Sequence, residues 1–376
     1  MFPSHDRADG YRLLRPNDYV DIPSDTGAII AVDFKDNKLV IRTERSCYFL
    51  QPNPQQMETS ESNVYIGTGD FLSIPPQELN ITQEGYGGQQ HKLDSINCNK
   101  GLIWSDRQRG EIYHLGGKFQ QLEKPMIKWF KDNLKLNHLV MTYDPYYDRL
   151  LVTCKNNWTL SYCFVEQGWK SWHSYIPDYY CHDAETFYSF SNGYGMWKHN
   201  SNESNYTTFY GLEFPHIVEL ILNEGNTFNL QSLIYHSNVY SYANGYEEDV
   251  LGITYDQMIA YNDRQSTGLQ KLILDSELNI YPVANETHVK RTDRNFKVGQ
   301  FKDFASSSNI WSTDISPIKQ GVHGYRDKLP VVDFDINEVE MAEFKSKWVC
   351  ARLIFNQHDK KITLEFEQSN LHNSFR

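Results

Sequence analysis

The chain has 376 residues, of which 40% are hydrophobic, enough to bury more than one core. Its net charge of −12, from 36 basic and 48 acidic residues, opposes binding to a nucleic-acid backbone, and no basic cluster offsets this repulsion. No apolar run is long enough to cross a bilayer, and the charged start lacks the apolar core of a signal peptide. We therefore expect no sequence-specific nucleic-acid binding, no membrane insertion and no signal peptide.

The six cysteines show neither a CxxC pair nor zinc-finger spacing to histidine. Cys154 and Cys163 lie in neighbouring predicted strands, where they could face each other. We nevertheless expect reduced, buried thiols, and hence assembly in a reducing cytosol.

Four segments of the first half repeat one pattern, in which an apolar strand, a short polar turn and an aromatic-rich strand follow one another. They span 37–51, 100–117, 148–165 and 185–200. Hairpins that recur at such intervals are typical of propeller blades. We predict a propeller-like β domain with incomplete blades over residues 1–212.

One helix is predicted within this domain, at 122–134. Pro125 suits a first helical turn. Met126, Ile127, Phe130 and Leu134 then share one face at helical spacing. We interpret this helix as a connector that packs on the sheets.

The aromatic stretch 149–177 is predicted to form three antiparallel strands, 150–154, 158–165 and 169–177, with a fourth at 186–191. Aromatic residues favour strands, so packing one blade on the next accounts for most of them.

The character of the sequence changes near Pro215, where longer apolar segments begin. Strands are predicted at 216–223, 228–242, 250–262 and 270–275, and a last hairpin lies in 344–375. Asn244-Gly245 is a strong turn signal, and the polar region 284–328 is predicted to be a loop or extended arm. We predict a β-sandwich-like domain over 213–376 and an all-β fold for the chain.

Carboxylates near the aromatic strands raise the alternative of a glycosidase, which needs two convergent acids. The candidates are Asp144, Asp148, Glu166, Asp178 and Asp183. A chain with 48 acidic residues offers such pairs by chance. We therefore expect no enzyme and no catalytic residue.

Two further motifs are interpreted as structural. Cys181, His182 and Asp183 cannot converge if they lie in a strand, because adjacent residues point to opposite faces, and we expect an exposed loop there. The Gly-rich 84–90 has no lysine at P-loop spacing and is predicted to be a flexible turn. Histidine spacing indicates no metal site, so we expect no metal or cofactor.

At most four hairpin units are too few for a closed propeller, and the patterned β sequence begins close to residue 1. Open sheets leave edges that need a partner. We therefore expect the chain to dock against another polypeptide, or to be a fragment of a longer precursor.

The runs GYGGQQ (85–90), NKGLIWSDRQRGEIYHLGG (99–117) and MIKWFKDNL (126–134), with the aromatic stretch that follows, resemble tail proteins of short-tailed bacteriophages. The closest likeness is to the tail muzzle, or tail-stabilisation, proteins of crAss-like phages. KWVCARLIFNQHDKKITLEFEQSNLHNSFR (347–376) is similar to the end of those proteins. The likeness covers 11–210 and 340–376.

This resemblance implies a structural virion protein, assembled in the host bacterial cytoplasm, that closes the distal DNA channel until infection and genome ejection. Its expected partners are other tail proteins, copies of itself in a six-fold or twelve-fold ring, another fragment of the same precursor, and channel DNA bound without sequence specificity. No catalytic residue is implied. Muzzle proteins are longer than this chain, which agrees with a cleaved or separately encoded part.

Such a protein acts through interface anchors, for which Trp and Tyr are favoured. The candidates are Trp104, Trp169, Trp172, Tyr175 and Trp197, all equally explicable as blade core. The alternative is a receptor- or glycan-binding module at the tail tip, with 51–63 and 284–328 as specificity loops.

Overall fold

A computed structural model describes most of the chain in two compact units, unit 1 (Met1–Lys198) and unit 2 (His199–Arg376). The described residues are 19–36, 38–51, 55–58, 63–66, 75–83, 85–201, 205–243, 246–262, 265–274, 286–292, 294–299, 301, 311–312, 329–330 and 344–373. Strands dominate both units, and the described residues contain one α-helix. The all-β prediction is confirmed.

Unit 1 contains seventeen short strands among its described residues. They are β1 (Ile29–Lys35), β2 (Lys38–Thr43), β3 (Cys47–Leu50), β4 (Gln55–Glu58), β5 (Asn63–Ile66), β6 (Gln77–Glu78), β7 (Ser95–Cys98), β8 (Gly101–Asp106), β9 (Glu111–Leu115), β10 (Phe119–Gln121), β11 (Leu139–Asp144), β12 (Arg149–Cys154), β13 (Trp158–Cys163), β14 (Gly168–His173), β15 (Tyr179–His182), β16 (Phe187–Ser191) and β17 (Gly195–Lys198).

These strands form four successive antiparallel sheets. Sheet A is β1-β2-β3-β6, sheet B is β10-β9-β8-β7, sheet C is β11-β12-β13-β14 and sheet D is β15-β16-β17, while β4 pairs with β5 alone. Each of the four predicted hairpins is present, as β2–β3, β8–β9, β12–β13 and β16–β17. The arrangement of these sheets as propeller blades stays a prediction.

The fourth strand beside the aromatic stretch was assigned to the wrong segment. Sheet C is completed by Leu139–Asp144, which pairs with Arg149–Cys154. Phe187–Ser191 lies instead in sheet D, between its two neighbours in sequence. Both segments have the composition of a strand, so composition alone did not distinguish their pairing.

Three hairpins of unit 1 use the same type of turn. Four residues join the strands, and the last of them has a left-handed backbone: Gly110 (φ 74°), Asp148 (φ 48°) and Gln167 (φ 52°). Glycine adopts this conformation without steric cost. The local turn therefore fixes where each second strand begins.

The helix α1 (Ile127–Asn133) follows a 3-10 turn at Lys124–Met126. Phe130 and Leu134 are fully buried against sheets B and C, as the predicted face required. Ile127 is 45% exposed, so that part of the prediction is wrong. The 3-10 turn changes the angular spacing between Met126 and the helix proper, which moves Ile127 off the buried face.

Each sheet of unit 1 packs on the next one along the chain. Val40 and Cys47 of sheet A share a core with Trp104 and Tyr113 of sheet B. A second, larger core joins sheets B and C around α1. Between sheets C and D, the Tyr180 hydroxyl lies 2.7 Å from Thr153 Oγ1.

The Gly-rich segment is a packed part of the junction between sheets A and B, and the prediction of a flexible turn is wrong. The Trp104 indole donates to the Gly87 carbonyl at 2.9 Å. A Cβ built on Gly88 would lie 2.5 Å from the Glu44 carbonyl oxygen. These glycines permit a close backbone approach instead of mobility.

Unit 2 contains longer strands. They are β18 (Thr208–Phe209), β19 (Leu212–Glu213), β20 (His216–Ala243), β21 (Tyr246–Asp249), β22 (Gln257–Tyr261), β23 (Gln270–Leu274), β24 (Glu286–Thr292), β25 (Asn295–Gly299), β26 (Trp311–Ser312), β27 (Leu329–Pro330), β28 (Lys345–Phe355) and β29 (Lys360–Asn373).

Eight of these strands form one sheet, in which β20 is the longest member. The order runs β21-β20-β25-β24-β23-β22-β28, and β28 pairs again with β20, so the sheet closes on itself. β29 lies beside the second half of β20. Where the sequence predicted a sandwich-like domain, these strands belong to a single closed sheet around one core.

The strand assignments of unit 2 need three corrections. The predicted strands 216–223 and 228–242 are parts of the single strand β20, and the segment 250–262 contains only Gln257–Tyr261 as a strand. The predicted loop 284–328 includes β24 and β25, which lie within the closed sheet. Asn244, Gly245 and most of 300–328 lie outside the described residues.

Candidate interface surfaces

Trp104, the first of the five predicted anchors, lies inside unit 1 with no exposed surface. The Arg42 guanidinium lies 5.6 Å from its ring centroid, and Arg42 itself is buried and paired with Asp33. Trp104 therefore joins sheet A to sheet B, and its burial leaves it no surface for a partner.

Trp169, Trp172 and Tyr175 also pack within unit 1. The Trp169 indole donates to the Leu122 carbonyl at 2.8 Å. The rings of Trp172 and Trp129 are 4.8 Å apart in an edge-to-face arrangement. Tyr175 is 3% exposed. The aromatic stretch thus surrounds the connector helix, as the packing interpretation expects.

Trp197 is the one predicted anchor with a large exposed surface, at 41%. Its indole donates to the Tyr194 carbonyl at 2.7 Å, which holds the ring at the edge of sheet D. The interface role of the five residues stays a prediction, and among them Trp197 has the surface for it.

The outer face of sheet D carries a row of exposed apolar side chains that sequence reasoning missed. Tyr179 lies opposite Phe190, and Phe190 lies opposite Met196, so the three point to the same side. Their exposed fractions are 49%, 37% and 60%. We call Tyr179, Phe190 and Met196 the D-end row.

The other face of sheet D is covered over β15 and β16, whereas Trp197 lies on the same face in β17 and stays partly exposed. Phe187 and Ser189 are buried, and Tyr180 on that side reaches sheet C. Sheet D therefore uses one face inside unit 1 and leaves the D-end row on the other.

Sheet A, the first sheet of the stack, is covered on both faces except along its edge strand, because Ile41, Tyr48 and Leu50 on its outer face are buried with Val20 and Ile22. The face with Val40 and Cys47 packs on sheet B, whereas Val32 and Phe34 of β1 lie on the other face and are 53% and 48% exposed. We call Val32 and Phe34 the A-end strip. A signal for it is present in the sequence IIAVDFK, where apolar residues occupy both faces of one strand.

Three of the acids considered for a glycosidase have structural partners. Burial pushes the pKa of Asp148 up, but hydrogen bonds from Lys100 and Tyr143 outweigh it, and the pKa lies below its ordinary value. A backbone N–H from Asn192 lowers the pKa of Asp178, and backbone N–H groups lower that of Asp183. A glycosidase acid instead needs a raised pKa.

The other two candidate acids, Asp144 and Glu166, also have structural partners close in sequence. The Asp144 carboxylate accepts the Tyr146 N–H at 3.1 Å and pairs with Arg149 Nε at 2.9 Å, which caps the β11–β12 turn. Glu166 pairs with Lys170 across an exposed turn.

Cys181, His182 and Asp183 do not form an exposed loop, because Tyr179–His182 is strand β15. Cys181 is exposed on the side of the D-end row, His182 points to the other side, and Asp183 begins the following turn. Cys181 and His182 therefore point to opposite faces of the strand and do not converge on one site.

All six cysteines are free thiols. Cys47, Cys154 and Cys350 are buried, and burial raises the pKa of Cys47 to about 12 and that of Cys154 to about 11. Cys181 is exposed, contrary to the expectation of burial. Within the described ranges, no three His, Cys, Asp or Glu side chains are placed to hold a metal ion.

A buried ionic group at the junction of sheets B and C was also missed. Asp94 is fully buried, accepts the Leu139 N–H at 2.7 Å and lies 2.9 Å from Arg107 Nε. Burial raises its pKa to about 6, although these two contacts oppose the rise. His91 and His138 stack nearby with ring centroids 4.6 Å apart.

Comparison with family models identifies the protein's relatives. Residues 4–193, about half of the chain, match the family described as Crassvirus muzzle protein. The chain belongs to the crassvirus muzzle family. A search of curated proteins finds no match.

Family membership makes the chain a structural component of a crAss-like phage tail, located in the virion and associated with other tail proteins. The match covers the stacked sheets A to D up to β16, whereas the closed sheet lies beyond it. In the part of the chain that the structure describes, no helix is long and apolar enough to cross a membrane.

Proposed function

We propose that this muzzle-family chain forms a ring of six-fold or twelve-fold symmetry at the distal end of the tail, where it closes or lines the DNA exit channel until genome ejection. The observation that carries the proposal is the family match over the stacked sheets. The ring assembles in the host bacterial cytoplasm from copies of the chain and other tail proteins.

The charge of the chain supports a channel role without DNA binding. The net charge is −12, and Glu247, Glu248 and Asp249 are exposed along β21. Negative side chains repel the phosphate backbone, so DNA passes without being retained. Lys361 pairs with Glu247 and Arg294 pairs with Asp249, so two of these three carboxylates are partly compensated.

The test is to assemble virions with and without the chain, and to label the chain with gold on an added tag. We expect a ring of label at the distal tail, and rapid loss of packaged DNA to added nuclease when the chain is missing. Label at another part of the virion, or equal nuclease protection without the chain, would overturn the proposal.

The second candidate function is binding of a receptor or glycan at the tail tip. Tyr146 and Tyr147 favour it, because they are 70% and 53% exposed on the β11–β12 turn with ring centroids 4.7 Å apart. The Asp144 cap and Arg149, which lies 4.5 Å from the Tyr147 ring centroid, hold the pair in place. Held aromatic faces can stack on sugar rings.

A glycan array probed with the wild-type chain and a Tyr146→Ala, Tyr147→Ala double variant tests this candidate. Specific binding that the double variant loses while its melting temperature is unchanged would support it. Equal signals for both proteins would eliminate this site as the glycan contact.

A further inference from the structure

The connector helix α1 and the turns beside it carry exposed lysines. Lys128 and Lys131 are three residues apart on the helix, so their side chains are neighbours. In the part of the chain that the structure describes, no ion pair involves these lysines, whereas Lys100 pairs with Asp148. We call the four exposed residues the α1 lysine face: Lys124, Lys128, Lys131 and Lys135.

This face is basic although the chain is acidic. Residues 124–135 contain four lysines and one acid, Asp132, so their net charge is +3, against −12 for the whole chain. Glu123, which comes just before them, is buried and accepts the Ile112 N–H at 3.1 Å, so its carboxylate is used within unit 1. The expectation that no basic cluster offsets the acidic charge does not hold for this face.

Two exposed aliphatic side chains accompany the lysines. Ile127 is 45% exposed at the start of α1, and Leu136 is 55% exposed in the segment that follows the helix. The aromatic rings of α1 pack inward, since Trp129 lies 4.8 Å from Trp172 and Phe130 is fully buried. The outward side of α1 therefore combines positive charge with apolar groups that a partner can cover.

Charge complementarity requires an anionic occupant, and the surface distinguishes three sources of negative charge. A phosphate backbone would pair with the lysines but leave Ile127 and Leu136 in water, and the net charge of the chain opposes its approach. A second copy offers the acidic strand β21, where two of three carboxylates already pair with cations of unit 2. An acidic protein segment with apolar side chains matches both the charge and the aliphatic groups.

We propose that the α1 lysine face, together with Ile127 and Leu136, is the docking surface for an acidic segment of another tail protein. Opposite charges steer the partner to the face and fix its register, and the aliphatic side chains provide the apolar contact. The inference rests on family membership, which places the chain among other tail proteins, and does not require the proposed ring.

The first test replaces Ile127 of the full chain with photoreactive benzoylphenylalanine in assembled tails. The matched control carries the same group in place of Val165, which is 75% exposed in the β13–β14 turn. We expect the Ile127 variant to link to an Asp- and Glu-rich peptide of another tail protein, and the control not to link to that peptide. Links to DNA, to a copy of this chain, to a peptide without acidic residues or to nothing would overturn the inference.

The second test reverses the charge of the face in a quadruple variant, Lys124→Glu with Lys128→Glu, Lys131→Glu and Lys135→Glu. The matched control makes the same change at four exposed lysines elsewhere in unit 1: Lys38, Lys118, Lys170 and Lys198. Each variant exchanges four positive for four negative charges, so the net charge of both falls from −12 to −20.

We expect the reversed face to lower incorporation into tails at least about tenfold, because like charges across an interface oppose binding, and the control to incorporate as the wild type does. Thermal melts check that both variants fold, and four Lys→Gln substitutions replace the reversed face if it misfolds. Normal incorporation of the reversed face, or equal loss in both variants, would overturn the inference.

These outcomes are distinguishable from failure of the proposed ring. Tails without a ring, in which position 127 still links to an acidic tail protein, would remove only the proposed function. A ring that incorporates the reversed face normally would remove only this inference.

Discussion

The two units of the chain differ in how they cover the edges and faces of their sheets. Unit 1 divides its strands among four small sheets, and each strand pairs with a near neighbour in sequence. Unit 2 joins strands far apart in sequence, as the hydrogen bond from Asn238 to Glu365 across 127 residues shows, and closes its sheet. Closure satisfies the sheet within one chain, whereas the stack leaves the D-end row and the edge strand β1 exposed.

This difference predicts that the two units respond differently to a single substitution. The stability of a stack depends on the junctions between neighbouring sheets, as in repeat proteins. A single substitution can therefore disturb one junction or turn of unit 1 at a time, and hydrogen exchange read by mass spectrometry locates each effect.

Trp104→Ala should have the largest effect, because it empties the junction between sheets A and B. Loss of a buried tryptophan costs about 3–5 kcal/mol of unfolding free energy. Chemical denaturation measures the loss, and faster exchange should centre on β2, β3, β8 and β9. Trp197→Ala is the control, at 41% exposure. A similar loss in both variants would contradict the modular account.

Asp94→Asn should change how stability depends on pH at the junction of sheets B and C. Burial raises the Asp94 pKa to about 6, so the folded state holds its proton more tightly than the unfolded state, and Asp94 stabilises the fold more as pH falls from about 6 to about 4. The free-energy difference between wild type and variant should therefore grow over that range, by at most about 3 kcal/mol.

The comparison of the wild type with Asp94→Asn also separates the pH dependence due to Asp94 from that due to its histidine neighbours. Burial lowers the pKa values of His91 and His138, so their contribution is lost as pH falls below the ordinary histidine value, which is the opposite sign. Denaturation at a series of pH values provides the measurement. A constant difference between the two proteins would mean that Asp94 titrates as it does in the unfolded chain.

Gly110→Ala should destabilise the β8–β9 turn by about 2 kcal/mol, since it combines backbone strain with a clash. Its φ is 74°, and an added Cβ would lie 2.6 Å from the Lys131 Cα in α1. Gly193→Ala has a similar φ of 87° with nothing within 4 Å, and Gly117→Ala has free space as well. We expect the melting temperature to be lowest for Gly110→Ala, intermediate for Gly193→Ala and highest for Gly117→Ala. Equal melting temperatures for Gly110→Ala and Gly193→Ala would refute the clash.

Tyr180→Phe should have the smallest effect, about 1 kcal/mol, because it removes one hydrogen bond between sheets C and D. The Tyr180 hydroxyl lies 2.7 Å from Thr153 Oγ1. In the Tyr180→Phe background, Thr153→Val should lower the unfolding free energy only by the contribution of the lost hydrogen bond to Thr159. A double-mutant cycle checks this, and full additivity would show that the contact contributes nothing.

Local features of unit 1 were predictable from the sequence because the turns encode them. The polar turns around Gly110 and Asn156 separate apolar strands, and the hairpins follow from that pattern. The second half of the connector helix was equally predictable, since Phe130 and Leu134 keep helical spacing.

Features that depend on residues far apart in the sequence were not predictable from local patterns. β23 and β24 pair in parallel, and β20 pairs with both β28 and β29, which no turn signal specifies. The packed state of Gly87 and Gly88 depends on Trp104 and Glu44, which lie elsewhere in sequence. The D-end row escaped notice because the exposure of a strand depends on what covers it.

The most direct test of the account is cross-linking of tails assembled from an equal mixture of isotope-labelled and unlabelled chains. Neighbouring copies touch in the proposed ring, so the account predicts lysine links that combine one labelled and one unlabelled copy of the chain. Links found only within one copy, or only to other tail proteins, would contradict a ring built from copies of the chain.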